Sequence, residues 1–158
     1  DRVNAMALCS TFPNTATNLS TEALAEFVNL RKGPLLAGKS LEEMAKPLVR
    51  TLVGRRSTPR HFERIVNSIS SLHKESYLKT IEATARYDQP INLTNIAVPV
   101  QLIFGADDKL TPPEIGLKML EKIPGSKLHI LEGAGHLVNI EHAIQFNIIL
   151  ENFLGRVI

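Results

Sequence analysis

Tryptophan is absent from the 158 residues and aromatic side chains make up only 5%, so there is little surface on which nucleic-acid bases could stack. Cys9 is the single cysteine, which rules out an internal disulfide and any thiol pair for zinc. His136 and His142 are six residues apart, a spacing that suits neither face of a helix for metal ligation. No apolar run approaches the ~20 residues of a membrane-spanning helix, and no secretory leader pattern is present. Cofactor, metal, nucleic acid and membrane are therefore not expected as partners, and a cytoplasmic location is. The net charge of +2 excludes nothing, and 44% apolar content suffices for one core.

What is present begins with Val98-Pro-Val-Gln-Leu-Ile-Phe104, a short β-branched and aromatic run that suits a strand buried on both faces. Gly105 ends it, and Asp107 and Asp108 follow on the loop at the strand's carboxyl end, where open α/β sheets place their chemistry. An aspartate after a strand commonly bonds its own loop, and Asp107 is read that way. Thr111-Pro-Pro-Glu114 reads as a helix start with Thr111 as hydroxyl cap. The helix runs from Glu114 to Ile123, stops at Pro124-Gly125, and leads to a second strand over residues 127–131. Gly133-Ala-Gly135 then presents His136, and Val138 to Leu154 reads as one long apolar helix packed back on the sheet. Asp108 and His136, one strand-helix unit apart, would project from neighbouring strand ends, where a carboxylate can hold an imidazole that takes a proton from a nucleophile. His61, His73, His129 and His142 read as surface or helix-face residues.

These motifs, Val98-Pro99 through Gly105-x-x-Asp108 with Pro112, and Gly133-x-Gly135-His136 with Glu141 five residues on, resemble the α/β-hydrolase superfamily, in its esterase, lactonase and haloperoxidase-like branch. The resemblance covers nearly the whole chain. It implies that Asp108, three residues after the glycine, is the catalytic acid and His136 the catalytic histidine, at a 28-residue interval that also looks like the family. It implies an α/β fold containing the last three strands of the hydrolase sheet, mostly parallel, with an inserted all-helical cap. The core would comprise residues 1–13 and 91–158 and the cap residues 14–90. Residues 2–8 look like the strand that follows the nucleophile's helix, ending near Cys9 and Ser10.

Within the cap stretch, Ser20 opens a helix carrying Leu24, Phe27, Val28 and Leu30, which Gly33-Pro34 closes. Ser40 and Glu43 form a capping-box pattern for Leu41 to Val53, where Pro47 should kink or split the helix. Thr58-Pro59 opens a third helix with Phe62, Ile65, Val66 and Ile69, and Glu75 to Tyr87 forms a fourth, leading through Asp88-Gln-Pro90 back to the core. Phe12, Phe27, Leu36 and Met44 are candidates to line a substrate pocket, joined by Leu137 and Val138 after the histidine. Residues 31–64 hold nine Lys and Arg against three Glu; a solvated surface explains this concentration, with attraction of an acidic substrate as the alternative.

The chain has no Gly-x-Ser-x-Gly, the strained turn that presents a serine nucleophile and an oxyanion-hole donor. It therefore reads as the carboxyl-terminal part of a cofactor-independent hydrolase of ester, lactone or related acyl substrates, nearly inactive alone. The nucleophile would lie in a missing amino-terminal segment. The free edge of the first strand would accept that segment or a second copy of the chain. A dehalogenase or epoxide hydrolase with an Asp nucleophile, and a non-catalytic binding or assembly protein on the same fold, are the alternatives.

Overall fold

The computed structural model describes residues 2–13, 20–87 and 91–157; Asp88-Gln-Pro90 lies outside them. Backbone contacts divide the chain into two units. The first comprises Asp1–Phe12, Leu52–Thr58 and Asn92–Ile158, and the second Pro13–Thr51 and Pro59–Ile91.

The first unit is built on a sheet of three parallel strands in the order β1 (Met6–Cys9), β2 (Val100–Gly105), β3 (Lys127–Leu131). Met6 lies opposite Val100 and Cys9 opposite Ile103, while Gln101 and Gly105 face Lys127 and Leu131. Every residue of the central strand is buried, which its near-continuous apolar sequence requires. On one face Val100, Leu102 and Phe104 form a core with Met119 of helix α5 (Pro113–Lys122), with Ile123 just after it, and with Leu93. On the other, Ile103 packs with Leu131, Ala134 and Val138, and with partly buried Cys9, Phe146 and Ile149. Gln101 is the polar exception, its amide donating to the carbonyls of Leu102 and Lys127 at 3.1 and 3.0 Å, so that its own buried donor is not left unpaired.

The long terminal helix expected after His136 is two helices, α6 (Val138–Glu141) and α7 (Ala143–Val157). His142 between them leaves helical dihedrals, at φ −129° and ψ 46°. The side chain of Glu141 ties α6 to the preceding loop, whereas α7 sets Phe146 and Ile149 against the sheet. Ile144 remains 74% exposed and Ile148 52% exposed, so the apolar character of α7 is only partly used by the sheet.

The second unit is helical, with α1 (Thr21–Leu36), most of α2 (Leu41–Leu52), α3 (Pro59–Ser70) and α4 (Lys74–Arg86). Ser20 caps α1 by accepting from the Ala23 amide at 3.2 Å. Ser40 and Glu43 make the reciprocal capping box, Glu43 N to Ser40 Oγ at 3.1 Å and Ser40 N to Glu43 Oε2 at 2.8 Å. The stop expected at Gly33-Pro34 is corrected, and of the kink or split expected at Pro47 the split is excluded. Helix α1 runs through Gly33-Pro34 and ends where Gly38 takes φ +93°; Lys39 N bonds Pro34 O and Gly38 N bonds Leu35 O, the paired closure that a left-handed glycine permits. Helix α2 is not split at Pro47, because Leu41, Met44, Ala45 and Val49 keep one buried face on both sides of it. Leu35, Leu41 and Met44 form this unit's core with Leu48, Ile69, Tyr77 and Leu78 around them.

Gly105, at the end of β2, has no room for a side chain: a Cβ there would overlap the carbonyl oxygens of Ala134 and Gly135. Backbone cannot yield as a flexible side chain would, so Gly105→Ala is expected to cost about 1–3 kcal/mol. Urea denaturation reads this as a lower midpoint, and an unchanged midpoint would mean that the loop before His136 is not seated on the strand end.

Candidate active site

The loop after β2 and the loop after β3 are stitched together by main chain before any side chain is considered. Ala106 N donates to Leu131 O at 3.0 Å and Asp107 N to Ala134 O at 2.8 Å. Residues 52–56 close the third side, with His136 N donating to Leu52 O at 2.7 Å and Arg56 N to Gly133 O at 3.1 Å. Gly133 turns the chain at φ +78°, a conformation glycine adopts without penalty.

Glu141 completes this frame. Its residue is 5% exposed, and its carboxylate accepts from Gly54 N at 2.7 Å and from Gly135 N and Leu137 N at 3.1 Å. The amides of Gly135 and Leu137 flank His136 on either side, and that of Gly54 fastens its loop to residue 54. A carboxylate buried among N–H donors is the acceptor such a cluster needs.

The frame brings the two expected residues together: His136 Nδ1 lies 2.9 Å from Asp108 Oδ2. The Asp108 side chain is 0% exposed and that of His136 24%, so the acid is sealed and the ring reaches solvent. Asp108 Oδ1 accepts from Leu110 N at 2.9 Å and Thr111 N at 3.0 Å. Oδ2 also accepts from Thr111 Oγ1 at 2.6 Å. Burial by itself pushes the Asp108 carboxyl up, but the hydrogen bonds from His136 and Thr111 outweigh it, with the imidazole's charge adding to them, and hold the group below the usual aspartate range.

Two readings of this loop are corrected. Thr111 does not cap α5; Pro112 occupies that position without a side-chain bond, and the Thr111 hydroxyl donates to Asp108 instead. Asp107 does not bond its own loop. Its carboxylate accepts from Arg55 N at 2.8 Å and pairs with the Arg55 guanidinium, which also holds Glu132. Arg55 therefore belongs to an ion-pair network, although its sequence neighbourhood reads as a solvated basic surface.

Leu137 is half-buried beside the histidine, and Val138 is 1% exposed within the core of Ile103, Leu131 and Ala134. Phe12 is half-buried after β1. In the second unit Phe27 lies under the Arg31 guanidinium at 3.9 Å from the ring centroid. Leu36 is exposed, and Met44 lines a cavity of about 300 Å³ with Leu30, Arg31, Pro34 and Leu48. Thr111, read from the sequence only as a helix cap, and Glu141, noted only as part of the family motif, are the site-building residues that sequence reasoning did not place in the site. Among the described residues no group of three or more His, Cys, Asp or Glu could hold a metal ion, and no helix is long and apolar enough to cross a membrane.

A family model for the alpha/beta hydrolase fold matches residues 1–143. The chain is 35% identical over 99 residues to the 2-hydroxy-6-oxononadienedioate/2-hydroxy-6-oxononatrienedioate hydrolase of Klebsiella pneumoniae, covering 60% of this chain and 34% of that enzyme. Among solved structures, a thermophilic esterase from Thermogutta terrifontis superposes with TM-score 0.85 at 22% identity, over 99% of this chain and 57% of that one. The enol-lactonase from Burkholderia xenovorans LB400 gives TM-score 0.76 at 24% identity, over 98% and 57%. The chain thus spans about a third of the Klebsiella hydrolase and rather more than half of either solved enzyme.

Two predictions come from the carboxylates. Glu141→Ala strands three amides, and the cost is expected to be about 3 kcal/mol or more; Glu141→Gln, which sets an NH2 group against N–H donors, should also destabilise. Urea melts of both variants check this, and wild-type midpoints would show that the amides find other acceptors. For Asp108 the folded group ionises below the unfolded value of about 4. The stability it contributes is present above that pH and is lost as pH falls through the depressed folded value. Asp108→Asn should therefore flatten the acid limb of the stability profile below about pH 4, and an acid limb identical to wild type would remove Asp108 as its source.

Proposed function

The chain belongs to the alpha/beta hydrolase fold family, and from that premise we propose that it supplies the acid and the histidine of a hydrolytic triad acting on ester, lactone or related acyl substrates. The observation that carries this reading is the 2.9 Å contact of His136 Nδ1 with the sealed, ionised Asp108. With Nδ1 engaged, Nε2 is the nitrogen left to accept a proton. It takes that proton from the nucleophile as the nucleophile adds to the carbonyl carbon, then gives it to the leaving group. A water attacks the acyl intermediate with the same nitrogen as base, and Asp108 stabilises the imidazolium at each stage without taking the proton.

The nucleophile is supplied by residues outside these 158, since no Gly-x-Ser-x-Gly occurs among them. The helical unit corresponds to the family's cap; Phe27, Leu36 and Met44 belong to it and half-buried Phe12 and Leu137 to the sheet unit, while Val138 is withdrawn as a pocket candidate because it is 1% exposed in the sheet core. The name of the Klebsiella relative, a hydrolase of hydroxy-oxo dioates, makes an oxo acid a substrate candidate beside esters and lactones, and an anionic one would suit the basic stretch 31–64.

In the complete protein, His136→Ala should lower kcat on the order of 10⁶-fold and an Asp108 substitution on the order of 10⁴-fold, measured with an activated ester. Near-wild-type turnover in His136→Ala would end this reading and favour a non-catalytic role. The 158-residue chain alone should show no turnover; robust activity surviving Ser10→Ala and Cys9→Ala would place the nucleophile within it.

A further inference from the structure

We infer that Thr111 is a positioning residue that clamps the carboxylate of Asp108 and fixes the His136 ring in its Nδ1–H tautomer. The inference rests on the assignment of Asp108 and His136 above and adds a third side chain to their pairing.

One residue holds both oxygens of the acid. The Thr111 amide donates to Oδ1 at 3.0 Å and its hydroxyl to Oδ2 at 2.6 Å, and Thr111 is 1% exposed, so water does not compete. The same hydroxyl oxygen lies 3.2 Å from His136 Nδ1. An ionised carboxylate carries no proton, so the hydroxyl's one hydrogen must point at Oδ2. Its oxygen can then only accept from the ring. Nδ1 is consequently surrounded by two acceptors, Asp108 Oδ2 and Thr111 Oγ1, and neither can donate to it. A bare Nδ1 would face two sets of lone pairs, which disfavours the Nε2–H tautomer and leaves Nε2 unprotonated on the solvent side. Serine could do the same, whereas valine keeps the shape and removes both the donor to Asp108 and the acceptor for the ring.

Ring-nitrogen NMR of the ¹⁵N-labelled 158-residue chain, at a pH where the imidazole is neutral, tests this without any catalytic assay. Wild type should show a protonated Nδ1, a bare Nε2 and a slowly exchanging Thr111 hydroxyl proton. In Thr111→Val the two ring-nitrogen resonances should move towards each other as the second tautomer is populated, with loss of a slowly exchanging Nδ1–H; Thr111→Ser should restore the wild-type pattern. An unchanged ring pattern in Thr111→Val overturns the inference, as does an Nε2–H ring in wild type, which requires no variant to fold. Asp108→Asn separates the two levels. If it alters the ring pattern while Thr111→Val does not, only the role of Thr111 fails; if it too changes nothing, the pairing of Asp108 with His136 fails with it.

Discussion

The buried carboxylate of Glu141 is the interaction on which the rest of the site depends. The loop carrying His136 contains two glycines and would, as a free segment, sample many conformations at a backbone cost of about 1–2 kcal/mol per residue to order. Glu141 meets that cost at one point, by accepting from amides at 54, 135 and 137. It thereby joins two stretches far apart in sequence, residue 54 and residues 135–141. The close approach of Gly54 and Gly135, where neither could carry a side chain, is what lets a single carboxylate reach all three donors.

Asp108 and Glu141 are both buried acids, and their surroundings divide the labour between them. Glu141 sees only backbone amides among its hydrogen-bond partners, which are neutral and fixed. Asp108 commits Oδ1 to the amides of Leu110 and Thr111 and turns Oδ2 towards the imidazole and the Thr111 hydroxyl. The half bonded to backbone sets its orientation, and the half facing the ring is the one the proposed mechanism uses to stabilise charge there. In that mechanism the acid answers a proton at its neighbour, which needs this mixed environment.

How much of this was legible depends on the range of the interaction. The central strand, the loop position of Asp108 and the glycine-flanked His136 were read from local pattern, and the structure sets the two side chains 2.9 Å apart. The capping box at Ser40 and Glu43 is local as well. What was missed involved competition between partners. Thr111 has the pattern of a helix cap, but α5 starts one residue later, with Pro112 at the cap, and the Thr111 hydroxyl donates to the Asp108 carboxylate. Arg55 sits in a basic run, yet its partners, Asp107 and Glu132, are 52 and 77 residues away. Pro34 and Pro47 carry strong local stop signals that continuous packing of the helix faces overrides.

Residues 52–58 lie between α2 and α3 in sequence, but they belong to the sheet unit by contact. Leu52 accepts from the histidine's own amide, Gly54 donates to Glu141, and Arg55 and Arg56 bond the acid loop and the turn at Gly133. The segment that joins α2 to α3 in sequence is thus the one that orders His136. Shortening or rebuilding that segment would act on the pairing of Asp108 and His136 without altering either residue, because the geometry of the imidazole is set by main-chain bonds that the segment supplies.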